Sequence, residues 1–204
     1  MSLEIWNEKL NLSIDSLITE YRNNTKSLLT EGDLENLLYY HCKKNDLPIH
    51  SQITWFKDSR KSGYEVDLTI LDEQKLYVEK FDEYDKLYYN FEYPHKGYFY
   101  DGKIIGIELK FVRKNKDLKK KILCDLKKLN EKIIPHKKTN IDNGVYKISD
   151  LPNVKFQILI GFKEETLLLL AKKHIEKYIQ ENLGLQEMVQ ICLFCPTKTE
   201  KLSL

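Results

Sequence analysis

Nothing in this sequence is apolar for long. The longest such block, Leu167 to Ala171, falls far short of a bilayer's thickness, and no run of signal-peptide shape stands near the first residues. A soluble, cytoplasmic protein without a membrane partner is therefore expected. Cysteine is sparse and poorly spaced for a metal. Cys192 and Cys195 form a C-x-x-C, but the strand-like run Val189 to Phe194 turns residues three apart to opposite faces, while Cys42 and Cys124 stand alone. Buried free thiols in a reducing compartment fit better. Also missing are a Gly-x-x-x-x-Gly-Lys phosphate loop, a Gly-x-Gly-x-x-Gly turn and a Gly-x-Ser-x-Gly elbow, and the five His show no ligand spacing. These absences weigh against nucleotide-loop, dinucleotide and serine-hydrolase chemistry.

What is present is a chain of 204 residues, enough for one domain with a proper core. Its net charge is only +2, but the charge is unevenly spread. From Lys110 to Lys138 there are twelve Lys or Arg against Asp117, Asp125 and Glu131. A phosphate backbone would be favoured there, although a solvated helix face would have the same composition.

The run Ile104 to Val112 reads as a buried strand, entered from the turn-like Asp101-Gly102. Alternation puts Glu108 and Lys110 on one face and Ile107, Leu109 and Phe111 on the other, which packs. Tyr64 to Leu71 is a second strand of the same kind. Its packing face is Val66, Leu68 and Ile70, with Asp67 on the opposite side. If the two strands are neighbours, Asp67, Glu108 and Lys110 converge. Two carboxylates from separate strands suit a hard cation, Mg²⁺ or Mn²⁺, with water and substrate phosphate completing its shell. The lysine beside them is placed to orient or activate a water, or to offset phosphate charge.

An acidic helix, a strand Asp, an apolar Glu-x-Lys strand and a basic helix, in that order, resemble the PD-(D/E)xK nuclease superfamily. The resemblance spans about Thr30 to Leu129. No Pro precedes Asp67, and the segment between Asp67 and Glu108 is long. The resemblance implies an α/β, restriction-endonuclease-like core: a mixed central sheet flanked by helices, in the order α-α-β-β-β-α-β-α-β. It also implies metal-dependent hydrolysis of nucleic acid, DNA before RNA. Asp67 and Glu108 would hold the metal, Lys110 would assist the water and Glu31 would complete the shell. Monomer and homodimer both stay open.

In chain order, Ile5 to Tyr21 predicts a scaffold helix within an N-terminal segment of residues 1–28. A second helix starts at Thr30 as N-cap, with Asp33 three residues on, and runs to about Lys44. Leu34, Leu38 and His41 centre its apolar stripe. Glu31 flanks that stripe and Glu35 lies further round, so Glu31 is the favoured carboxylate and Glu35 the reserve; both also suit an ordinary acidic first turn. Ser51 to Phe56 and Tyr64 to Leu71 form a hairpin. Residues 73–103 are an aromatic-rich insertion that either packs on the domain or stacks on bases, with His95 as a loop residue. Asp117 to about Ile134 is a helix with Leu118, Ile122, Leu126, Leu129 and Ile133 along one face. Asp125, at the margin of that stripe, either supports Lys110 or pairs with Lys121 or Lys128. Arg113, Lys114, Lys121 and Lys128 are candidates for phosphate-backbone contacts. Residues 135–152 are a loop, Gly184 is a helix stop, and a βαβ scaffold over 154–198 completes a single domain.

The leading expectation is a metal-dependent nuclease. The alternatives are a nuclease-like module that binds nucleic acid without cutting it, in a defence or mobile-element setting, and a protein-interaction domain.

Overall fold

The computed structural model describes residues 1–59, 62–72, 76–77, 99–100, 103–129, 154–182 and 189–203. Helix α1 (Leu3–Asn23) starts where the Ser2 hydroxyl accepts the Ile5 N–H, and it buries Trp6, Leu10, Ile14, Leu17, Ile18 and Tyr21 at helical spacing. Helix α2 (Glu31–Lys44) carries the expected capping box. Thr30 Oγ1 accepts the Asp33 N–H at 3.1 Å, and Asp33 Oδ2 accepts the Thr30 and Leu29 N–H groups at 2.8 and 3.0 Å. Asp33 is thereby used up as a cap, which leaves Glu31 and Glu35 to act elsewhere.

Strands β1 (Ile49–Ser59) and β2 (Ser62–Leu71) form the expected antiparallel hairpin. Two-residue strands β3 (Leu76–Tyr77) and β4 (Phe99–Tyr100) pair antiparallel as a small separate ladder. Then come β5 (Ile104–Val112), α3 (Leu118–Lys127), β6 (Val154–Phe162), α4 (Glu165–Glu181), β7 (Val189–Phe194) and β8 (Thr199–Ser203). The main sheet has six strands in the order β1-β2-β5-β6-β7-β8. It is mixed: β5, β6 and β7 run parallel, joined by crossovers that contain α3 and α4, and the outer pairs are antiparallel. The class is thus α/β.

Two expectations about packing need correction. The Glu108–Lys110 face of β5 is not left open. Ile104 and Val112 share that face and pack with α3 and α4, while Ile105, Ile107 and Leu109 pack with α1 and α2 on the other. β5 has a parallel neighbour in β6 and helices on both faces of the sheet, so it is covered on both sides. Val66, read as a partner of Leu68 and Ile70, belongs instead to the α3–α4 cluster. The β2–β5 ladder ends at Leu68↔Ile107, so beyond that rung β5 no longer holds β2 to the same alternation. Cys192 and Cys195 do fall in different clusters, and all four cysteines are free.

Strand β8 is not expected from the sequence, because Pro196 reads as an end. The chain instead turns back, with the Cys195 N–H donating to the Lys198 carbonyl at 2.9 Å. Most of the aromatic insertion, including His95, lies outside the described residues, as do residues 130–153 and Gly184. Among the described residues no helix is long and apolar enough to cross a membrane.

Candidate active site

The site lies where β2 and β5 part. One residue past the last β2–β5 rung, Asp67 Oδ2 accepts the Leu109 main-chain N–H at 2.7 Å. A side chain there takes the N–H of β5 in place of a strand carbonyl, and this anchors Asp67 in the fork. An N–H donated to a carboxylate is shorter and stronger than a neutral bond.

Glu108, next along β5, is only 2 % exposed. Its Oε1 lies 2.5 Å from the Lys128 ammonium, yet it has no aligned hydrogen-bond donor among the described residues. Burial pushes the Glu108 carboxyl up to about 8 against its ordinary 4.5. Lys128 pulls the other way, and Asp67 and Asp125 add to the rise.

Lys110 projects from the same face of β5. Its ammonium meets both oxygens of Glu31, at 3.3 and 3.2 Å, and stands 3.7 Å from Asp125 Oδ2. Burial lowers the pKa of this lysine, but attraction to Asp125 and Glu31 outweighs it and the net direction is upward. Lys110 therefore stays a cation at neutral pH. It can donate hydrogen bonds and offset negative charge, but it has no lone pair with which to take a proton.

Helix α2 delivers Glu31 because its capping box fixes where the first turn begins. Glu35, one turn on, has its carboxyl raised by burial and then by the charges of Asp67 and Glu31, so it borders the same cluster. Asp125 reaches the site from α3 and is 7 % exposed. Across the gap it lies 3.7 Å from the Lys110 ammonium, the first of the pairings that its place on the stripe allowed. Asp125 Oδ1 accepts the Cys124 thiol at 3.1 Å, while Oδ2 lacks an aligned donor among the described residues. Burial and the neighbouring Asp125 raise the Cys124 thiol to about 11, which keeps it protonated as a donor.

Of the residues singled out as backbone contacts, Arg113, Lys114 and Lys121 are exposed. Lys128 is placed differently, because it turns inward to Glu108. Its place three residues after the stripe-edge Asp125 was the only sequence sign that it shares that margin. Cys124 gave no sign at all. A cleft of about 750 Å³ between α3 and α4, lined by Lys119, Lys120, Lys127 and His174, has no local signature either, since His174 comes from a distant helix.

The donors suit a hard cation in kind: carboxylate oxygens, two of them buried without an aligned donor among the described residues. Among the described residues, however, no three carboxylates, imidazoles or thiols are gathered about one point as a metal requires. Glu108 is held by Lys128 and Asp67 by a main-chain N–H. Comparison with models of known protein families, with curated proteins and with solved structures gave no match.

Proposed function

We propose that this protein is a metal-dependent phosphodiesterase acting on nucleic acid, DNA before RNA, with a core of the PD-(D/E)xK, restriction-endonuclease-like kind. The observation that carries the reading is the junction at the β2–β5 fork. There Asp67, Glu108 and Lys110 lie within a few residues of one rung, and Glu31 reaches Lys110 from a different helix. Carboxylates from two strands beside a lysine kept protonated make a costly arrangement for a purely structural role.

In this reading Asp67 and Glu108 hold Mg²⁺ or Mn²⁺. The ion would supply charge stabilisation at the phosphate oxygens and the leaving group. Lys110, clamped between Glu31 and Asp125, donates to the attacking water and fixes its line of approach. It also offsets charge on the phosphate. Arg113, Lys114 and Lys121 meet the backbone beyond the site and add affinity without choosing sequence.

The test is cleavage of supercoiled plasmid and of labelled single strands in Mg²⁺, Mn²⁺ or EDTA, with Glu108→Ala alongside. Metal-dependent cutting by the parent that disappears in the variant supports the reading; equal cutting by both refutes it. A non-catalytic binding module is favoured by one observation, the lack of three converging ligands among the described residues. It predicts salt-dependent binding of nucleic acid with no affinity for metal.

A further inference from the structure

The cleft of about 750 Å³ between α3 and α4 has no part in the candidate active site. Helix α3 has two flanks. Asp125 faces the fork from one, while Lys120, Leu123 and Lys127, spaced three and four apart, share the other and line the cleft. Lys119 of the same helix and His174 of α4 line it too, and the buried Leu118 and Leu123 make part of its wall apolar. Several lysines elsewhere that stand between elements are matched by acids: Lys110 by Glu31 and Asp125, Lys172 by Glu200, and Lys201 by Asp15. Lys119, Lys120 and Lys127 are exposed and meet no carboxylate among the described residues. Against these three cations the lining holds one acid, Asp117. Ammonium groups gathered in a concave place without counter-charge favour an anion. The apolar wall favours a ligand that is more than a bare ion, and the volume suits one small molecule, since such pockets measure about 300–1,000 Å³.

We propose that this cleft holds a single-stranded segment of nucleic acid, with phosphates on Lys119, Lys120 and Lys127 and a base or sugar against Leu118 and Leu123. His174 adds an N–H donor in either tautomer. The fork and the cleft lie on opposite flanks of one helix, about 10–12 Å across. A single strand can bend over that ridge. A duplex, with a persistence length of about 150 base pairs, cannot follow it. A strand engaged at the fork is thus gripped again beyond α3, and the substrate class that follows is nucleic acid with a single-stranded stretch beside the point of attack. The inference rests on nucleic acid being the partner, as the proposed function does, but it requires neither metal nor cutting.

The experiment is binding of labelled oligo-dT and of a short duplex to the full chain in EDTA, read by fluorescence anisotropy at several salt concentrations. It compares the parent with Lys119→Gln/Lys120→Gln/Lys127→Gln and with Arg113→Gln/Lys114→Gln/Lys121→Gln, which removes the same charge away from the cleft. The cleft variant should bind oligo-dT about tenfold more weakly or worse, with a salt slope lower by about 0.7 for each phosphate no longer neutralised, and the other variant should lose less. Should the triple variant fold poorly, Lys120→Gln/Lys127→Gln carries the comparison. Cys124 lines the cleft and is the exposed thiol, the other three cysteines being buried, so it reports on occupancy. Oligo-dT should protect it from a maleimide, and thymidine monophosphate at the same nucleotide concentration should not. Equal losses in the two triple variants, or binding that leaves Cys124 unprotected, overturn the cleft as the site. Equal protection by the monophosphate overturns the strand in favour of a free nucleotide. Binding of the duplex but not of oligo-dT overturns this inference and leaves the phosphodiesterase reading standing, whereas binding of neither overturns both.

Discussion

Replacing Glu108 by Gln should make the metal-free protein more stable than the parent at alkaline pH, and by a large amount. The Glu108 carboxyl titrates near 8 in the folded chain and near 4.5 as an ordinary glutamate. Between those values the native state holds a proton that the unfolded state has released. Stability therefore falls as pH rises through the window, by about 1.4 kcal/mol per pH unit. The contribution is fully present below 4.5 and fully lost above 8, which amounts to about 5 kcal/mol. Gln is neutral throughout and loses nothing. The Lys128 side chain keeps 26 % of its surface exposed, so its ammonium can hydrate in the variant. The variant and parent should melt alike near pH 4.5 and diverge steadily to about pH 9. For a chain of this size the gap there is at most about 10–20 °C. Thermal melts in EDTA at half-unit pH steps would measure it. Curves that stay parallel across that whole range would refute the claim that burial holds Glu108 protonated.

Three further outcomes are expected. Asp67→Ala removes the acceptor of the Leu109 N–H and should cost about 1–3 kcal/mol in urea unfolding; Asp67→Asn keeps an acceptor, should cost less, and should still abolish metal binding. Gly161→Ala would place a Cβ 2.8 Å from the rings of both Phe111 and Phe194, which also pack edge-on against Tyr21. This overpacking should destabilise the fold by about 1–3 kcal/mol, and a variant as stable as the parent would contradict the tight seat described for Gly161. Replacing Arg113, Lys114 and Lys121 by Gln should lower the slope of log affinity against log salt by about 0.9 for each duplex phosphate that is no longer neutralised. An unchanged slope would remove these residues from the nucleic-acid interface.

Local rules in the sequence determined much of this protein. The Thr30–Asp33 capping box, the bounds of β5, the helical stripes of α1 and α3 and the shared face of Glu108 and Lys110 are all decided within a few residues. Alternation and 3.6-residue periodicity operate at that range. Tertiary structure decided what those faces meet. Alternation says that Glu108 and Lys110 point the same way but not that α3 covers them, so the choice of Lys128 for Glu108 was invisible, and Asp125 for Lys110 was one of several pairings that spacing left open. Such pairings depend on how helices separated in sequence lie across the sheet. Strand β8 and the end of the β2–β5 ladder were likewise beyond local reading, because strand pairing is a contact between distant segments. The sequence alone determined which charged groups lie on the strands; only the packing of α2 and α3 around the fork determined which of them neutralise one another, because ion pairing depends on separation in space.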